Sequence, residues 1–304
     1  MTPHTPQPDI SIVVPVRSAE ETIHRTLEAL LDQCRGLSAE VVAVVSTQDR
    51  TARLLRGISG SGIRRIELQR PASVPELRAE GIRAARGRLV AITEDHCLFS
   101  PGWVKGLIEA HRERPAAAVG GPVENGRTGG ALDWAIYFSR YAGSMPPLPA
   151  GPAFALPGNN ACYRRETLER HARSFQDGFW ENDVNREILA GGGQLWLEPA
   201  LEVSHNKPYR FPAYLALRYR HARCFGGRRT PGWTALQRAW RALAAPLLPA
   251  LMAWRAARGV FAKRRRRREL LLSFPALLLC YGVWSWGELA GYLLGPGPSC
   301  SQTD

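Results

Sequence analysis

The sequence predicts an α/β fold with a mostly parallel central sheet and helices on both faces, followed by C-terminal helices that associate with a membrane. Three observations predict this fold class. Short β-branched apolar runs alternate with helical patterns over about the first ninety residues, which is typical of a parallel sheet. An acidic cluster follows one of these runs at Thr93–His96. A long apolar segment, Leu270–Leu294, comes just after the basic run Lys263–Arg268.

The strands of the predicted sheet are short apolar runs that end at turn-forming or acidic residues. Ile10–Val16 is the first, and Pro15 marks its end. Val41–Val45 is the second, after a helix with apolar residues at helical spacing. Helix Val74–Ala85 then precedes the run Arg88–Thr93. Since ligands bind at the carboxyl ends of parallel strands, we expect the functional site at that edge of the sheet.

The second half contains shorter elements around a segment rich in proline, glycine and alanine. This segment, Met145–Pro157, is predicted to be a loop over the sheet. Strands are predicted at Asn159–Tyr163 and at Gln194–Leu197. Between them, a helix over Asn182–Ala190 is expected to end at the glycines that follow it.

The chain carries a net charge of +13, which calls for an anionic partner or surface. Basic residues are dense at Arg218–Arg229 and at Lys263–Arg268, and the second run adjoins the most apolar part of the sequence. A polybasic run beside a segment of lipid-spanning length favours anionic headgroups. Basic residues interleaved with aromatic ones, as on a nucleic-acid platform, are lacking. We therefore expect an anionic membrane as a partner and no nucleic acid.

The tail is expected to contain one membrane span. As a helix, Leu270–Leu294 is long enough to cross a hydrocarbon core of about 30 Å. Ala242–Trp254 is shorter and contains two prolines, so it is predicted to be re-entrant or to lie in the interface. The expected division is an α/β domain over residues 1–230, an interfacial segment over residues 231–262, and a basic run, span and short tail over residues 263–304.

The cysteines and the N-terminus bear on the compartment. The six cysteines are scattered, without the close spacing of a structural zinc site, which favours a reducing compartment without disulfides. Met1–Pro8 has neither the basic nor the apolar region of a secretory signal peptide. Together with the basic runs, these features predict an inner (cytoplasmic) membrane location with the α/β domain facing the cytoplasm.

The acidic cluster at the end of a buried strand is the most informative local feature. Glu94, Asp95 and His96 offer oxygen and imidazole ligands for a divalent cation, which would in turn bridge phosphate oxygens. The alternative is an ordinary acidic turn, which is common at strand ends.

Several segments together resemble the nucleotide-binding half of family 2 glycosyltransferases, which share the GT-A fold. They are Ile12–Arg17, Ala84–His96 and Pro101–Trp103. The resemblance implies a nucleotide-sugar donor and a divalent cation, Mn²⁺ or Mg²⁺. The family's Asp-x-Asp motif falls on Glu94, Asp95 and His96, with glutamate at the first acid and histidine at the second.

The second half extends the resemblance to the acceptor side and the catalytic base. Gly158–Arg165 resembles the acceptor-side strand, which implies binding roles for Asn159 and Asn160. Trp180–Asp183 resembles the region that supplies the base in an inverting transfer, with Glu181 or Asp183 in that role. The alternative for these acids is ordinary acid enrichment in the first turn of a helix.

On the side of the nucleotide-sugar donor, the sequence departs further from the family pattern. The resemblance places residues from the ends of the first two strands and the loop after the second against the nucleotide, which implies binding roles for Pro15, Val16, Ser46 and Asp49. The base-binding aspartate of the family is replaced by Ser46 or Thr47. Arg220 and Arg223 either reach diphosphate oxygens or face lipid headgroups. His205 is either a site residue or a structural histidine.

The predicted function is an inverting transfer of sugar from a nucleotide-sugar donor to a lipid-linked or glycan acceptor at the membrane. The alternative is an inactive relative that serves as a membrane-bound binding or scaffold protein. Carboxylates at Glu94, Asp95, Glu181 and Asp183 favour the enzyme. A nicotinamide-dependent dehydrogenase is disfavoured because no G-x-G-x-x-G follows the first strand.

Overall fold

A computed structural model describes residues 7–58 and 62–302 of the chain, so most of the segment Met1–Pro8 lies outside the described residues. The chain divides into two compact units. The first consists of Met1–Glu124 and Pro146–Lys207, and the second of Asn125–Met145 and Pro208–Asp304.

The strands belong to two sheets. In chain order they are β1 (Ile10–Val16), β2 (Ala39–Ser46), β3 (Ile63–Leu68), β4 (Leu89–Ile92), β5 (Cys97–Phe99), β6 (Ala118–Gly120), β7 (Val123–Asn125), β8 (Gly151–Ala153), β9 (Ala161–Arg164), β10 (Leu195–Leu197) and β11 (Val203–His205). The larger sheet has the order β3-β2-β1-β4-β9-β6-β10-β8, and the smaller has the order β5-β11-β7. The run from β3 to β4 is parallel, whereas β9 pairs antiparallel with both β4 and β6.

The helices alternate with the strands in the first half of the chain and follow one another at its end. They are α1 (Ile23–Cys34), α2 (Thr51–Gly57), α3 (Val74–Ala84), α4 (Trp103–Glu113), α5 (Ala131–Tyr141), α6 (Arg165–Arg170), α7 (Glu181–Ala190), α8 (Phe211–Arg228), α9 (Ala235–Ala244), α10 (Leu248–Ala262) and α11 (Arg267–Leu294). Short 3₁₀ helices lie at Ala172–Phe175, Ala245–Leu247 and Gly297–Gln302.

Both faces of the larger sheet are buried, as the sequence predicts for continuous apolar strands. Successive residues of β1 point to opposite faces, so that Ile12 and Val14 join the cluster under α1 and α4 while Val13 joins the cluster under α3. The predicted α/β fold with a mostly parallel sheet between helices is confirmed. The elements that sequence patterns do not predict include the three-residue strands β5, β7, β8 and β11, which carry no distinct pattern, and helix α5.

In the second unit, α11 packs along α8. Gly287 of α11 lies against the backbone of Tyr219, and Gly291 against that of Arg223, so the two helices run in the same direction. Small residues allow this close approach, as in the packing of membrane helices. By length and composition alone, α11 could cross a membrane, and it is the one such helix within residues 7–58 and 62–302.

The structure contains a disulfide, which the sequence does not predict. Cys224 on α8 is bonded to Cys300 beyond α11, whereas Cys34, Cys97, Cys162 and Cys280 are free. Scattered spacing in the sequence gives no sign of this bond, because the helix pairing that brings the two residues together spans a separation of 76 positions. Disulfides persist mainly in oxidising compartments, so the cysteines do not support the expected reducing environment.

Candidate active site

The parallel run from β3 to β4 brings the ends of several strands to one edge of the larger sheet. The segment after β1 meets the segment after β4 there, because the Arg17 amide donates to the Asp95 carboxylate at 2.6 Å. Pro15 and Val16 lie within β1 and are buried, so their side chains belong to the core. The groups presented at this edge therefore begin one residue later, at Arg17.

Asp95 is held by contacts on both carboxylate oxygens and on its backbone carbonyl. Besides the Arg17 amide, its carboxylate contacts Nδ1 of His96 at 2.6 Å, and its backbone carbonyl accepts from the Thr26 hydroxyl at 3.2 Å. A carboxylate bound to one ring nitrogen of a histidine fixes the ring orientation and leaves the other nitrogen directed elsewhere. Asp95 is thus placed to orient His96.

The other ring nitrogen of His96 faces Glu94. Its Nε2 lies 3.1 Å from Oε2 of Glu94, and the ring meets His205 edge-on with centroids 4.5 Å apart. Burial lowers the pKa of His96, but its hydrogen bonds to the Asp95 and Glu94 carboxylates and their negative charges outweigh this effect and raise the pKa above its usual value. Through its ring contact with His96, His205 belongs to the same cluster as Glu94, Asp95 and His96.

Three buried side chains form a group that fits a single cation. Ligand atoms of Glu94, His96 and Cys97 all lie within 4.8 Å of one another. Carboxylate oxygen, imidazole nitrogen and thiolate sulfur are all metal ligands. Asn159 borders this group, since its amide lies 3.7 Å from the Cys97 sulfur. The group contains Glu94 and His96, two of the three ligands that the sequence predicts, together with Cys97.

Arg78 joins this cluster to Glu181. Its guanidinium contacts Glu94 at 2.7 Å through one nitrogen and Glu181 at 3.0 Å through another, and it is 6% exposed. Sequence analysis misses this residue. The signal that identifies it is its position on α3, where Val74, Leu77 and Gly81 form the inward face and Arg78 lies among them.

Of the two acids at the start of α7, Glu181 is joined to the cluster through Arg78. Gly158 lies so close to Glu181 that a Cβ added there would meet its carboxyl carbon at 2.6 Å. Asp183 instead contacts Arg186 of the same helix at 2.5 Å. Arg78 and Gly158 thus hold Glu181 against the acidic edge of the sheet.

Ser46 and Asp49 shape the loop after β2. Asp49 accepts from the backbone amides of Ser18 and Thr51 at 2.9 and 2.8 Å, which ties this loop to the segment after β1. The Ser46 hydroxyl donates to the Arg70 carbonyl at 2.8 Å. Both residues therefore lie at the same edge of the sheet as Arg17.

Asn160 holds the backbone of neighbouring segments together. Its side chain donates to the carbonyls of Pro122 and Leu201 at 2.9 and 2.7 Å and accepts from the Trp103 indole at 3.0 Å.

Arg220 and Arg223 belong to the second unit, where Arg223 donates to the Gly295 carbonyl at 3.2 Å and Arg220 to the Ala216 carbonyl at 3.3 Å.

Comparison with solved structures shows which fold the chain has. The mannosyltransferase PcManGT from Pyrobaculum calidifontis, solved in complex with GDP-Man and Mn²⁺, matches 96% of this chain and 86% of its own with a TM-score of 0.55 and 19% identity. GalNAc-T7, solved with UDP, GalNAc and Mn²⁺, matches 66% of this chain and 44% of its own with a TM-score of 0.51 and 16% identity. The fold is therefore that of the GT-A glycosyltransferases.

Sequence comparison gives the family. Residues 11–172 match the glycosyl transferase family 2, and the chain belongs to that family. It is 34% identical over 103 residues to the succinoglycan biosynthesis protein ExoO of Rhizobium meliloti (strain 1021). That match covers 34% of this chain and 29% of ExoO. The predicted family and the predicted enzyme class, a glycosyltransferase, are confirmed.

Proposed function

We propose that this glycosyltransferase transfers a sugar with inversion from a nucleotide-sugar donor, using Glu181 as the catalytic base and a divalent cation at Glu94, His96 and Cys97. The observation that carries the proposal is the chain of contacts from the Glu94 group through Arg78 to Glu181. Both structural relatives were solved with a nucleotide or nucleotide sugar and Mn²⁺, which supports the donor class and the cation.

The proposed step is a single displacement. The acceptor hydroxyl oxygen bonds to the anomeric carbon while the bond from that carbon to the diphosphate oxygen breaks. The diphosphate leaves with the bonding electron pair, and the hydroxyl proton passes to the Glu181 carboxylate. Attack from the face opposite the leaving group inverts the anomeric configuration.

Arg78 acts as a positioning residue in this proposal. Its planar fork contacts Glu94 and Glu181 at once, which a single ammonium group would not do with the same geometry. It therefore fixes the distance between the leaving-group side of the site and the base. It also offsets the negative charge of two acids in a buried environment.

The chemistry of the ligand atoms bears on the choice of cation. When bound, the cation would offset the charge that develops on the departing diphosphate. Mg²⁺ prefers ligand sets of oxygen alone, whereas nitrogen and sulfur ligands suit transition metals. Because both structural relatives were solved with Mn²⁺ and His96 contributes a nitrogen, we expect Mn²⁺ to bind in preference to Mg²⁺. Asp95 would orient His96, and Asn159 would border the ligands.

The remaining assignments rest on position. Ser46, Asp49 and the backbone after Pro15 and Val16 lie at the ligand edge of the sheet and would contact the nucleotide. The proposed catalytic residues all belong to the first unit, so we assign catalysis to it and membrane association to residues beyond 230. A lipid-linked or nascent-glycan acceptor follows from this association and from the biosynthetic role in the name of ExoO.

Membrane association with the catalytic unit on the cytoplasmic side is supported by the basic runs Arg218–Arg229 and Lys263–Arg268. The Cys224–Cys300 disulfide opposes this orientation, so its redox state in cells provides the test. Thiols are trapped with iodoacetamide on lysis and identified by mass spectrometry. A reduced pair is expected on the cytoplasmic side, and an oxidised pair would place these residues in an oxidising compartment.

The donor and cation are tested on the purified full chain in detergent. A panel of UDP- and GDP-sugars is offered with Mn²⁺, Mg²⁺ or chelator, with membrane lipid extract as the acceptor, and released nucleoside diphosphate is measured. Turnover of one donor that needs Mn²⁺ is expected. Binding of Mn²⁺ is measured separately by titration calorimetry, and His96→Ala is expected to weaken it about 10- to 100-fold.

Two results would contradict the proposal. Binding of a nucleotide sugar without turnover would instead support an inactive binding protein. Turnover unaffected by chelator, together with unchanged Mn²⁺ affinity in His96→Ala, would remove the cation from Glu94, His96 and Cys97. The exposed His24→Ala serves as the matched control, since its side chain contacts only Glu28 on the surface of α1.

A further inference from the structure

One face of the segment from α9 to α10 carries large apolar side chains in solvent. Six residues recur at spacings of three and four positions through α9, the 3₁₀ turn and α10, and each is 38% to 80% exposed: Leu236, Trp240, Leu243, Leu247, Leu251 and Trp254. This spacing keeps them on one side of a helical segment. We call them the α9–α10 stripe.

The opposite face of the same segment is buried and small. Ala245, Ala253, Ala256 and Val260 pack inward, and α9 itself buries no residue. In a helix that faces water, the large apolar residues are the ones that pack inward. Here the large apolar residues face outward and the small ones pack inward. This is the distribution expected of a surface that is covered by an apolar phase.

The contacts of α11 disfavour a simple membrane crossing. Close backbone contacts at Gly287 and Gly291 hold the C-terminal half of α11 against that of α8, and the two helices run in parallel. A crossing α11 would therefore carry the end of α8 across with it, including Arg223, Arg228 and Arg229. Such a transfer opposes the preference for basic residues on the inner side.

The charges around the stripe identify what covers it. Arg255 and Arg258 lie on α10, Arg258 is stacked 5.4 Å from the Trp254 ring, and the run Lys263–Arg268 follows the helix. Tryptophan and arginine together are typical of the headgroup level of a bilayer. We propose that the α9–α10 stripe docks on an anionic lipid bilayer, with α9 and α10 lying in the plane of the interface. This inference rests on the membrane association proposed above for residues beyond 230, and it does not depend on the catalytic assignments.

Depth measurements on the full chain test the proposal. Leu243 and Leu247 are replaced singly by cysteine and labelled with the fluorophore NBD, and the protein is reconstituted into vesicles of phosphatidylcholine with about one third phosphatidylglycerol. The matched control is Leu54→Cys, which is 45% exposed on α2 of the first unit. Native thiols react slowly by comparison, because burial raises the pKa of Cys34 to about 11 and the other free cysteines are buried.

Brominated lipids and aqueous iodide report the position of each label. We expect bromolipid quenching at positions 243 and 247 at a depth of about 5–10 Å below the headgroups, and iodide quenching at position 54. Iodide quenching at all three positions would overturn docking, and a depth at the bilayer centre would overturn the in-plane orientation. Equal bromolipid quenching in vesicles of phosphatidylcholine alone would overturn the choice of an anionic surface.

Discussion

At the residue scale, the site depends on one buried arginine between two acids. Arg78 contacts Glu94 and Glu181 through different nitrogens, so it links the candidate cation ligands to the candidate base. Removal of one partner from a buried ionic group leaves the others uncompensated, which costs more than the pair contributes when complete. Both stability and catalysis should therefore respond to a change at this position.

Arg78→Lys keeps the charge but loses the fork, so one of the two contacts is lost. We expect a loss of about 1–3 kcal/mol of stability, the usual cost of a charged hydrogen bond in a buried site. We also expect kcat to fall more than KM rises, since Glu181 is no longer held in position. Thermal melts and steady-state kinetics measure both. The exposed Arg53→Lys on α2 is the control, and equal behaviour of the two variants would contradict the assigned role.

His111 predicts a pH dependence of stability. It lies buried on α4 and contacts the Cys162 carbonyl at 3.1 Å, and burial lowers its pKa to about 4. Below its unfolded pKa of about 6.5, the unfolded state binds a proton that the folded state does not, so stability falls as the pH drops from about 6.5 to 4. At pH 5 the loss is about 2 kcal/mol.

His111→Gln removes this proton linkage while retaining a hydrogen-bond donor. The melting temperature of the variant should therefore decline less between pH 7 and pH 5 than that of the natural chain. The exposed His24→Gln is the control and should keep the natural slope. An unchanged slope in His111→Gln would show that other groups cause the acid sensitivity.

At the element scale, α8 and α11 are packed through glycines. A Cβ on Gly291 would lie 2.5 Å from the Arg223 carbonyl and 2.7 Å from the Gly227 amide, both of which are backbone atoms that cannot move aside alone. Gly282 of the same helix has open space around its Cβ position. The two glycines thus form a matched pair within one helix.

Gly291→Ala should lower the melting temperature, because overpacking at a close helix contact costs about 1–3 kcal/mol. Gly282→Ala should leave it unchanged or raise it slightly, since alanine favours a helix interior by about 0.5–1 kcal/mol. Melts of the two variants in detergent measure the difference. If Gly291→Ala were as stable as Gly282→Ala, the close packing of α8 on α11 would be incorrect.

Sequence patterns predict long elements better than short ones. Continuous apolar runs predict β1, β2 and β4, because burial on both faces of a parallel sheet leaves a strong signal. The three-residue strands β5 and β7 leave none, since they are fixed by tertiary pairing. The antiparallel insertion of β9 is likewise not encoded locally.

The residues of the candidate site likewise fall into those that the sequence predicts and those that it does not. Glu94, Asp95 and His96 follow from the acidic cluster at the end of a predicted strand, and Glu181 or Asp183 follows from the resemblance to family 2 glycosyltransferases. Arg78 and Cys97 do not, because an arginine on an apolar helix face and a cysteine in a short strand acquire meaning only from their three-dimensional neighbours. The disulfide between Cys224 and Cys300 depends on helix packing and was likewise not predictable.

At the scale of the whole molecule, the two units have opposite chemistry. The first buries a cluster of acids around Arg78 and His96, whereas the second exposes apolar side chains among arginines. Family 2 membership covers residues 11–172, which belong almost entirely to the first unit apart from Asn125–Met145. The account assigns sugar transfer to the first unit and bilayer contact to the second.

Its central claim is that Glu181 removes the acceptor proton in a glycosyl transfer, and turnover by Glu181→Gln tests this most directly. Nucleoside diphosphate release is measured with a saturating donor and Mn²⁺, beside Glu187→Gln on the same helix, whose carboxylate instead contacts His171. We predict that Glu181→Gln binds the donor as the natural chain does but turns over about 100- to 10,000-fold more slowly, while Glu187→Gln remains active. Full activity in Glu181→Gln would contradict the account.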